Sequence, residues 1–235
     1  MKPTTDKKQR VRVMFDSIAP TYDRLNHLLS FQIDRLWRRR VVRMVAADEP
    51  RAILDVATGT GDLAIELARV IEGARVTGVD ISENMLALGR AKVAERGLDG
   101  RVNLLAGDAE ALEFADGEFD CVTVGFGVRN FGDIGAGLRE MCRVLRAGGM
   151  CFVLEFSEPR APVFGWVYRI YFHRVLPLLG RAVSKDAAAY TYLPTSVSGF
   201  PEPERFAEML RGAGFSGVEK RRLTGGVAYI YKAIK

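Results

Sequence analysis

The chain has 235 residues, of which 48% are hydrophobic and 9% aromatic, which excludes a disordered protein and predicts a single domain with one substantial core. Lysine and arginine number 34 against 29 acidic residues, a formal net charge of +5 that favours acidic partners without choosing between nucleic acid and anionic lipid. The 3 cysteines lack CxxC spacing and only 2 histidines accompany them, so the composition predicts reduced core thiols and no metal site.

Neither a signal peptide nor a membrane span is indicated by the sequence. The first residues are polar, without the apolar core of a signal peptide. The most apolar stretch, residues 161–180, contains Arg169, His173 and Arg174, and these side chains leave no uncharged run of about 18 residues. We therefore expect a cytoplasmic protein that does not cross a membrane.

Hydrophobic periods of strand and helix type alternate along the chain. A helical cap (residues 1–48, with two or three helices over 11–47) comes first. The predicted elements that follow are strand 51–57, helix 62–71, strand 74–80, helix 82–96 capped by Ser82, strand 102–106, strand 119–124, a helix from Ile134 that stops at Gly148 and Gly149, and strand 150–156. After an insertion over 157–200 come helix 204–212, strand 215–223, a Thr-Gly-Gly turn and strand 227–233.

This alternation predicts a parallel sheet that helices cover on both faces. The last two strands are joined by a short glycine turn, so they must run antiparallel. We therefore expect one α/β domain with a doubly wound, Rossmann-like sheet of seven strands, mostly parallel with one antiparallel strand. That arrangement resembles the class I S-adenosylmethionine-dependent methyltransferase fold more than half of a dehydrogenase.

The loop after the first predicted strand has the composition of a nucleotide-binding turn. Ligands of doubly wound sheets bind beyond the carboxyl ends of the strands, and Gly59 and Gly61 let the backbone approach a ligand closely. This loop also matches the dinucleotide pattern, and Asp80 follows it at about the spacing that NAD enzymes use for a ribose-binding acid. Taken alone, the loop leaves both cofactors open.

A further acid, Asp108, favours S-adenosylmethionine over NAD. We expect Asp80 to accept both ribose hydroxyls, and Asp108 to accept the adenine amino group beside the backbone N–H of Ala109. Asp55 would favour the positive end of the ligand through its charge. Three acids at successive strand ends would repel a pyrophosphate, so a cationic cofactor fits better. Three apolar side chains are expected to line the adenine slot: Ile81, Met85 and Leu112.

Several segments, spread over nearly the whole chain, resemble the ubiquinone/menaquinone biosynthesis C-methyltransferase family. They are residues 15–23, 26–30 with 36–38, 125–130, 154–157 and 186–193. The resemblance implies that Thr60, with Asp80, Asp108 and Ala109, contacts S-adenosylmethionine. Many ubiquinone-forming members have a serine where this chain has Gly125, and its Gly-Phe-Gly form resembles members dedicated to menaquinone.

The resemblance therefore implies methylation of a ring carbon of demethylmenaquinol, a lipophilic quinol. The alternatives are the 2-polyprenyl-6-methoxy-1,4-benzoquinol precursor of ubiquinone and another small acceptor. The more distant rivals are an NAD dehydrogenase and a non-catalytic membrane-surface protein. No RNA-binding module or aromatic platform accompanies the basic residues, so we expect no nucleic-acid partner. Monomer and homodimer both stay open.

Ring methylation needs an electron-rich ring, which ionisation of the quinol hydroxyl supplies. A phenol has a pKa near 10, so the site must assist that ionisation. We expect Arg129 to stabilise the developing phenolate, Asn130 to orient the ring oxygen or a water, and Tyr22 to complete the group. His27 and His173 are alternative bases.

Two further expectations concern single positions and the insertion. Ala57 replaces the first glycine of the methyltransferase motif, and its methyl group is tolerated if φ there is negative. The insertion is expected to cover the substrate, and its apolar, arginine-bearing part could rest on the membrane surface. The aromatic residues expected to line an entrance for the isoprenoid tail are Trp166, Tyr168, Tyr171, Tyr190 and Tyr192.

Overall fold

One sheet of seven strands forms the centre of the molecule, in the order β3-β2-β1-β4-β5-β7-β6. The computed structural model describes residues 3–30, 32–160, 162, 165, 168 and 187–235, with residues 3–6, 21, 23–29 and 187–191 described by their backbone alone. Strand β7 runs antiparallel to both of its neighbours, and the other strand pairs are parallel, which confirms the predicted sheet. The strands are β1 Ala52–Val56, β2 Arg75–Asp80, β3 Val102–Ala106, β4 Phe119–Gly125, β5 Leu145–Phe156, β6 Ser216–Leu223 and β7 Ala228–Ile234.

Helices cover both faces of this sheet, as the near-continuous apolar strands require. In β1, Ile53 packs on the face covered by α2, α3 and α4, whereas Leu54 and Val56 pack on the face covered by α5 and α7. Successive strand residues point to opposite faces, so one short strand contributes to both halves of the core. The helices are α1 Pro3–Leu29, α2 Ile33–Ala46, α3 Asp62–Val70, α4 Glu83–Glu95, α5 Ile134–Val144, α6 Ala187–Ser198 and α7 Pro203–Gly212.

Helix α5 ends earlier than its periodicity predicts. It begins at the cap residue Asp133, whose side chain accepts a hydrogen bond from the backbone N–H of Ala136, and it stops at Val144 instead of at the glycine pair. Leu145 is extended and pairs with Phe119 in β4. Strand pairing and burial of Leu145 therefore override the helical pattern, and the prediction for residues 145–149 was wrong.

Helix α1 lies beside the carboxyl ends of the parallel strands, whereas α2 packs on one face of the sheet. Two helices, α1 and α2, are described where two or three were expected, and α1 begins at Pro3. The hydroxyl of Ser82, which caps α4, donates to Asp16 in α1 at 2.6 Å, and the side-chain amide of Asn84 donates to the carbonyl of Asp16 at 3.1 Å. These bonds hold α1 over the loop that follows β2. Among the described residues, no helix is long and apolar enough to cross a membrane.

Candidate cofactor and substrate site

A cavity lies between α1 and the loops that follow β1, β2, β3 and β4. Parallel strands end at the same edge of a sheet, so four loops that are distant in sequence meet there. Eight of the predicted site residues line this cavity: Tyr22, Gly59, Asp80, Ile81, Met85, Asp108, Ala109 and Asn130. Five other predicted residues are not part of the lining: Asp55, Thr60, Gly61, Leu112 and Arg129. Leu112 is instead buried in the core.

Asp80 joins two of these loops. Its Oδ2 accepts a hydrogen bond from the backbone N–H of Gly59 at 2.8 Å, and its Oδ1 accepts one from the N–H of Ser82 at 2.9 Å. Burial raises the pKa of Asp80, although these backbone bonds oppose the shift. A carboxylate offers about four acceptor sites, so Asp80 keeps acceptor capacity towards the cavity while it holds the glycine turn.

Asp108 lines the cavity after β3 and connects it to α1. Its Oδ1 accepts from the backbone N–H of Glu110 at 2.9 Å, and its Oδ2 accepts from Nζ of Lys8 at 2.8 Å. Lys8 also pairs with Glu110 at 2.8 Å. Sequence reasoning missed both Lys8 and Glu110, because no local pattern signals a contact between residues 100 positions apart.

The charges on the cavity wall suit a cation. Among the described residues that line it, three carry a carboxylate, Asp80, Asp108 and Glu110, and one carries an ammonium group, Lys8. Such a wall attracts a positive ligand and repels a diphosphate. The excess of acids predicted from the sequence is therefore present, although Glu110 takes the place at the wall that was expected for Asp55.

Asp55 lies beneath the glycine turn, fully buried. It accepts hydrogen bonds from the hydroxyls of Thr58 and Thr123, both at 2.6 Å. Burial raises its pKa to about 6, and the two threonine hydroxyls oppose that shift. Asp55 therefore orders the turn from below. Its proposed attraction for the positive end of the cofactor stays a prediction.

This raised pKa predicts a pH dependence of stability. Because the folded-state pKa of about 6 exceeds the unfolded value of about 3.9, the fold prefers the protonated acid, and the cost of ionising it appears as the pH rises from about 4 to about 6. Relative to an Asp55→Asn variant, we expect the wild type to lose on the order of 2 kcal/mol of unfolding free energy over that window. Urea unfolding of both proteins at pH 4, 5, 6 and 7 measures it; parallel curves would contradict the expectation.

Ala57, which replaces the first glycine of the methyltransferase motif, has a positive φ of 51°. The negative φ at which its methyl group was expected to be tolerated is therefore absent. The left-handed conformation costs an L-residue about 1 kcal/mol. The turn requires this conformation because it directs the backbone N–H of the next residue, Thr58, towards β2, where that N–H donates to the carbonyl of Val79 at 3.0 Å. The methyl group of Ala57 also packs against Gly127, where an added Cβ would lie only 2.6 Å away.

Thr60 and Gly61 hold the start of α3. Nζ of Lys92 donates to the hydroxyl of Thr60 at 2.8 Å and to the carboxylate of Asp62 at 2.7 Å. Gly61 caps the helix with a φ of 77°, a conformation that glycine adopts without strain. The cofactor contact of Thr60 that the family resemblance implies stays a prediction.

Arg129 is buried in an ion pair. Its guanidinium lies 2.7 Å from Glu155, with 6% and 0% of the two side chains exposed, and it also bonds to the carbonyl of Phe126. The pair compensates the charge of Arg129, so its proposed action as a fixed positive charge is weakened. Its Nε is the one buried side-chain nitrogen or oxygen without a partner in the described part of the chain, and Arg129 itself does not line the cavity. Its role towards the substrate stays a prediction.

Asn130 and Tyr22 line the cavity beyond the glycine turn. Tyr22 packs edge-on against Phe15 with the ring centroids 5.7 Å apart, and Oδ1 of Asn130 accepts a hydrogen bond from the hydroxyl of Tyr192 at 3.0 Å. Of the other predicted residues, Trp166, Tyr171 and His173 lie outside the described residues, as do the side chains of His27 and Tyr190. The three cysteines are free and buried.

The chain has close relatives among known proteins. A model described as the ubiE/COQ5 methyltransferase family matches residues 3–235. A demethylmenaquinone methyltransferase of Thermus thermophilus is 52% identical over 218 residues, 93% of this chain and 98% of the relative. One of Bacteroides fragilis is 44% identical over 229 residues, 97% and 94% of the two chains. A ubiquinone/menaquinone biosynthesis C-methyltransferase UbiE of Geobacter sulfurreducens is 47% identical over 232 residues, 98% and 90% of the two chains.

Two solved structures share the fold at low identity. The cyclase SpnF superposes with a TM-score of 0.70 at 19% identity, over 97% of this chain and 96% of its own. An S-adenosylmethionine-dependent methyltransferase from Aquifex aeolicus gives a TM-score of 0.58 at 17% identity, over 78% and 81%. This likeness confirms the class I methyltransferase fold. Because the family model matches nearly the whole chain and a relative is 52% identical to it, the chain belongs to the ubiE/COQ5 methyltransferase family.

Proposed function

We propose that the chain transfers a methyl group from S-adenosylmethionine to a ring carbon of demethylmenaquinol. Relatives that are 44% and 52% identical carry the name demethylmenaquinone methyltransferase, which supports this acceptor over the ubiquinone precursor. The observation that carries the proposal is the cavity itself. Two acidic side chains, Asp80 and Asp108, line it together with the amide of Asn130 and the phenol of Tyr22.

The described residues fit S-adenosylmethionine. Asp80 would accept the ribose hydroxyls with its remaining lone pairs, and Asp108 with the N–H of Ala109 would bind the adenine edge. Gly59 leaves open space, since an added Cβ there meets nothing within 4 Å. When bound, S-adenosylmethionine supplies an electrophilic methyl group, and the ring carbon that takes it loses its proton.

Residues in and beside the loop after β4 would assist ionisation of the quinol. Asn130 lines the cavity, and its side chain can stabilise charge on the ring oxygen through a hydrogen bond. Arg129 would reach the quinol oxygen only if its buried Nε became accessible, and it would act there as a hydrogen-bond donor and not as a net charge, because Glu155 compensates it. Phe126 and Phe131 add apolar walls that suit an aromatic ring.

Methyl transfer to two quinols in parallel tests this proposal. The protein is incubated with S-adenosylmethionine labelled in the methyl group and with either reduced demethylmenaquinone or the reduced methoxybenzoquinone precursor, and products are identified by mass spectrometry. We expect label in menaquinol at a rate at least about tenfold above that of the second product. Preferential labelling of the benzoquinol, or of neither compound, would contradict the proposed acceptor.

We also propose a peripheral membrane contact through α2, since the acceptor is a lipid. Leu36, Arg39, Arg40 and Arg43 are exposed and share one face of α2 by helical spacing, and 58% of Leu36 is accessible. Basic residues beside an exposed apolar one favour an anionic bilayer surface. The stretch at 161–180 that was expected to rest on the membrane lies mostly outside the described residues.

Neutralising this face is expected to weaken vesicle binding. Each basic residue near an anionic surface contributes about 1 kcal/mol, so changing Arg39, Arg40 and Arg43 to glutamine should lower the partition coefficient on phosphatidylglycerol vesicles by tenfold or more. The matched control removes three exposed charges from the edge strand β6, at Lys220, Arg221 and Arg222. Equal losses in the two variants, measured by sedimentation, would count against a specific membrane face.

A further inference from the structure

Tyr192 contacts the cavity only through another residue. It lies in α6, is half-buried, and places its hydroxyl 3.0 Å from Oδ1 of Asn130. Asn130 lines the cavity, whereas Tyr192 does not. We propose that Tyr192 is a positioning residue for methyl transfer: by donating to Oδ1 of Asn130, it turns the Nδ2 amide group towards the cavity as a donor for the quinol oxygen. The inference rests on the proposed function.

The two ends of the Asn130 amide have different surroundings. Within the described part of the chain, Oδ1 is held by the Tyr192 hydroxyl, and no protein acceptor takes the protons of Nδ2. Among the described residues, the one buried side-chain nitrogen or oxygen without a partner is Nε of Arg129. Nδ2 of Asn130 also lacks a protein partner, so it is not buried. With Oδ1 directed at the Tyr192 hydroxyl, the amide presents its N–H groups on its other side, and N–H groups suit an oxygen that gains negative charge.

The opposite amide orientation would work against the reaction. Oδ1 would then face the quinol oxygen, and two acceptors would meet as that oxygen ionises. A hydrogen-bond donor fixed before reaction lowers the barrier, because no reorganisation is needed when charge develops. Tyr192 thus supplies the orientation, and Asn130 supplies the contact with the substrate.

Tyr192 is suited to donating a proton in a hydrogen bond and not to accepting one from the substrate. Burial raises the pKa of its hydroxyl, the charge of Arg129 lowers it, and that of Glu155 raises it again. The phenol therefore stays protonated at neutral pH. In the same helix, Leu193 and Val197 pack with Ile18 and Tyr22 of α1, so α6 is attached to the cap that covers the cavity.

Steady-state kinetics of a double-mutant cycle test the proposal. Tyr192→Phe keeps the ring and removes the hydroxyl, so we expect kcat on demethylmenaquinol to fall about tenfold while the dissociation constant for S-adenosylmethionine changes less than twofold. In an Asn130→Ala background the same substitution should have no further effect on kcat. Ser196→Ala, on the same helix with its hydroxyl bonded to the carbonyl of Leu193, is the matched control and should behave as wild type.

The outcomes separate this inference from the proposed function. Equal losses from Tyr192→Phe in both backgrounds, or no loss in either, would overturn the role of Tyr192. A second readout needs no turnover: the side-chain amide signals of Asn130 in a nitrogen-15 spectrum, identified by their absence in Asn130→Ala, should shift in Tyr192→Phe and stay in place in Ser196→Ala. Unshifted signals would overturn the inference even if methyl transfer occurs, whereas a wild type that methylates neither quinol contradicts the proposed function alone.

Discussion

An Asp80→Asn variant is expected to bind S-adenosylmethionine about 100-fold more weakly than the wild type. The carboxylate would make charge-assisted hydrogen bonds to the ribose, each contributing about 1.5–3 kcal/mol, and it adds attraction for a cationic ligand. It also accepts from the N–H groups of Gly59 and Ser82. Asparagine has a single side-chain acceptor oxygen, so one of these donors loses its partner and the glycine turn loosens. Titration calorimetry measures the dissociation constant.

The matched control for this variant is Asp133→Asn. Asp133 caps α5, where its side chain accepts from the N–H of Ala136 at 3.0 Å, and it is exposed and not part of the cavity wall. Asparagine is an equally good helix cap, so neither stability nor cofactor affinity should change. If Asp80→Asn bound S-adenosylmethionine as tightly as this control does, the cavity would not be the cofactor site that we propose.

A Glu155→Ala variant is expected to unfold with about 3–5 kcal/mol less free energy than the wild type. Removal of one partner leaves Arg129 charged and buried without compensation, which is more costly than the pair itself is stabilising. Glu155 also accepts from the backbone N–H groups of Arg129 at 3.2 Å and Phe156 at 2.8 Å. In a chain of this size the melting temperature should fall by roughly 6–20 °C, which differential scanning calorimetry measures.

An exposed ion pair is the control for this buried one. Arg146 pairs with Asp120 at 2.6 Å, but 55% of its side chain is accessible, so Arg146→Ala should cost less than about 1 kcal/mol. Comparable losses from Glu155→Ala and Arg146→Ala would show that burial does not set the strength of the pair.

Arg129→Ala should be destabilised as strongly as Glu155→Ala. Its turnover is therefore compared with that of the wild type at a temperature where calorimetry finds both proteins folded.

Most of the fold followed from hydrophobic period and turn chemistry. The strands β1 to β4 are short apolar runs bounded by glycine or acidic turns, and Ser82 accepts from the N–H of Met85 as an expected helix cap. The end of α5 did not follow, because Leu145 continues a helical pattern locally and is placed in β5 by its pairing with Phe119. Pairing partners are distant in the chain, so no local period indicates them.

What the sequence alone determined about the site is the set of groups at the strand ends. Gly59, Asp80, Asp108 and Ala109 lie at the ends of predicted strands or just after them, and parallel strands necessarily present such residues at one edge. The two acids favour a cationic ligand, and the glycine lets the backbone approach that ligand closely, so these residues already favoured a cationic nucleoside.

Only the tertiary structure decided how those groups are held and which partners compensate them. Lys8 reaches Asp108 from a helix 100 residues away, Glu155 neutralises Arg129 from a neighbouring strand, and Tyr192 orients Asn130 from α6. Side-chain hydrogen bonds and ion pairs depend on positions within a few tenths of an ångström. A linear pattern carries no information at that scale, because packing of distant elements sets those distances.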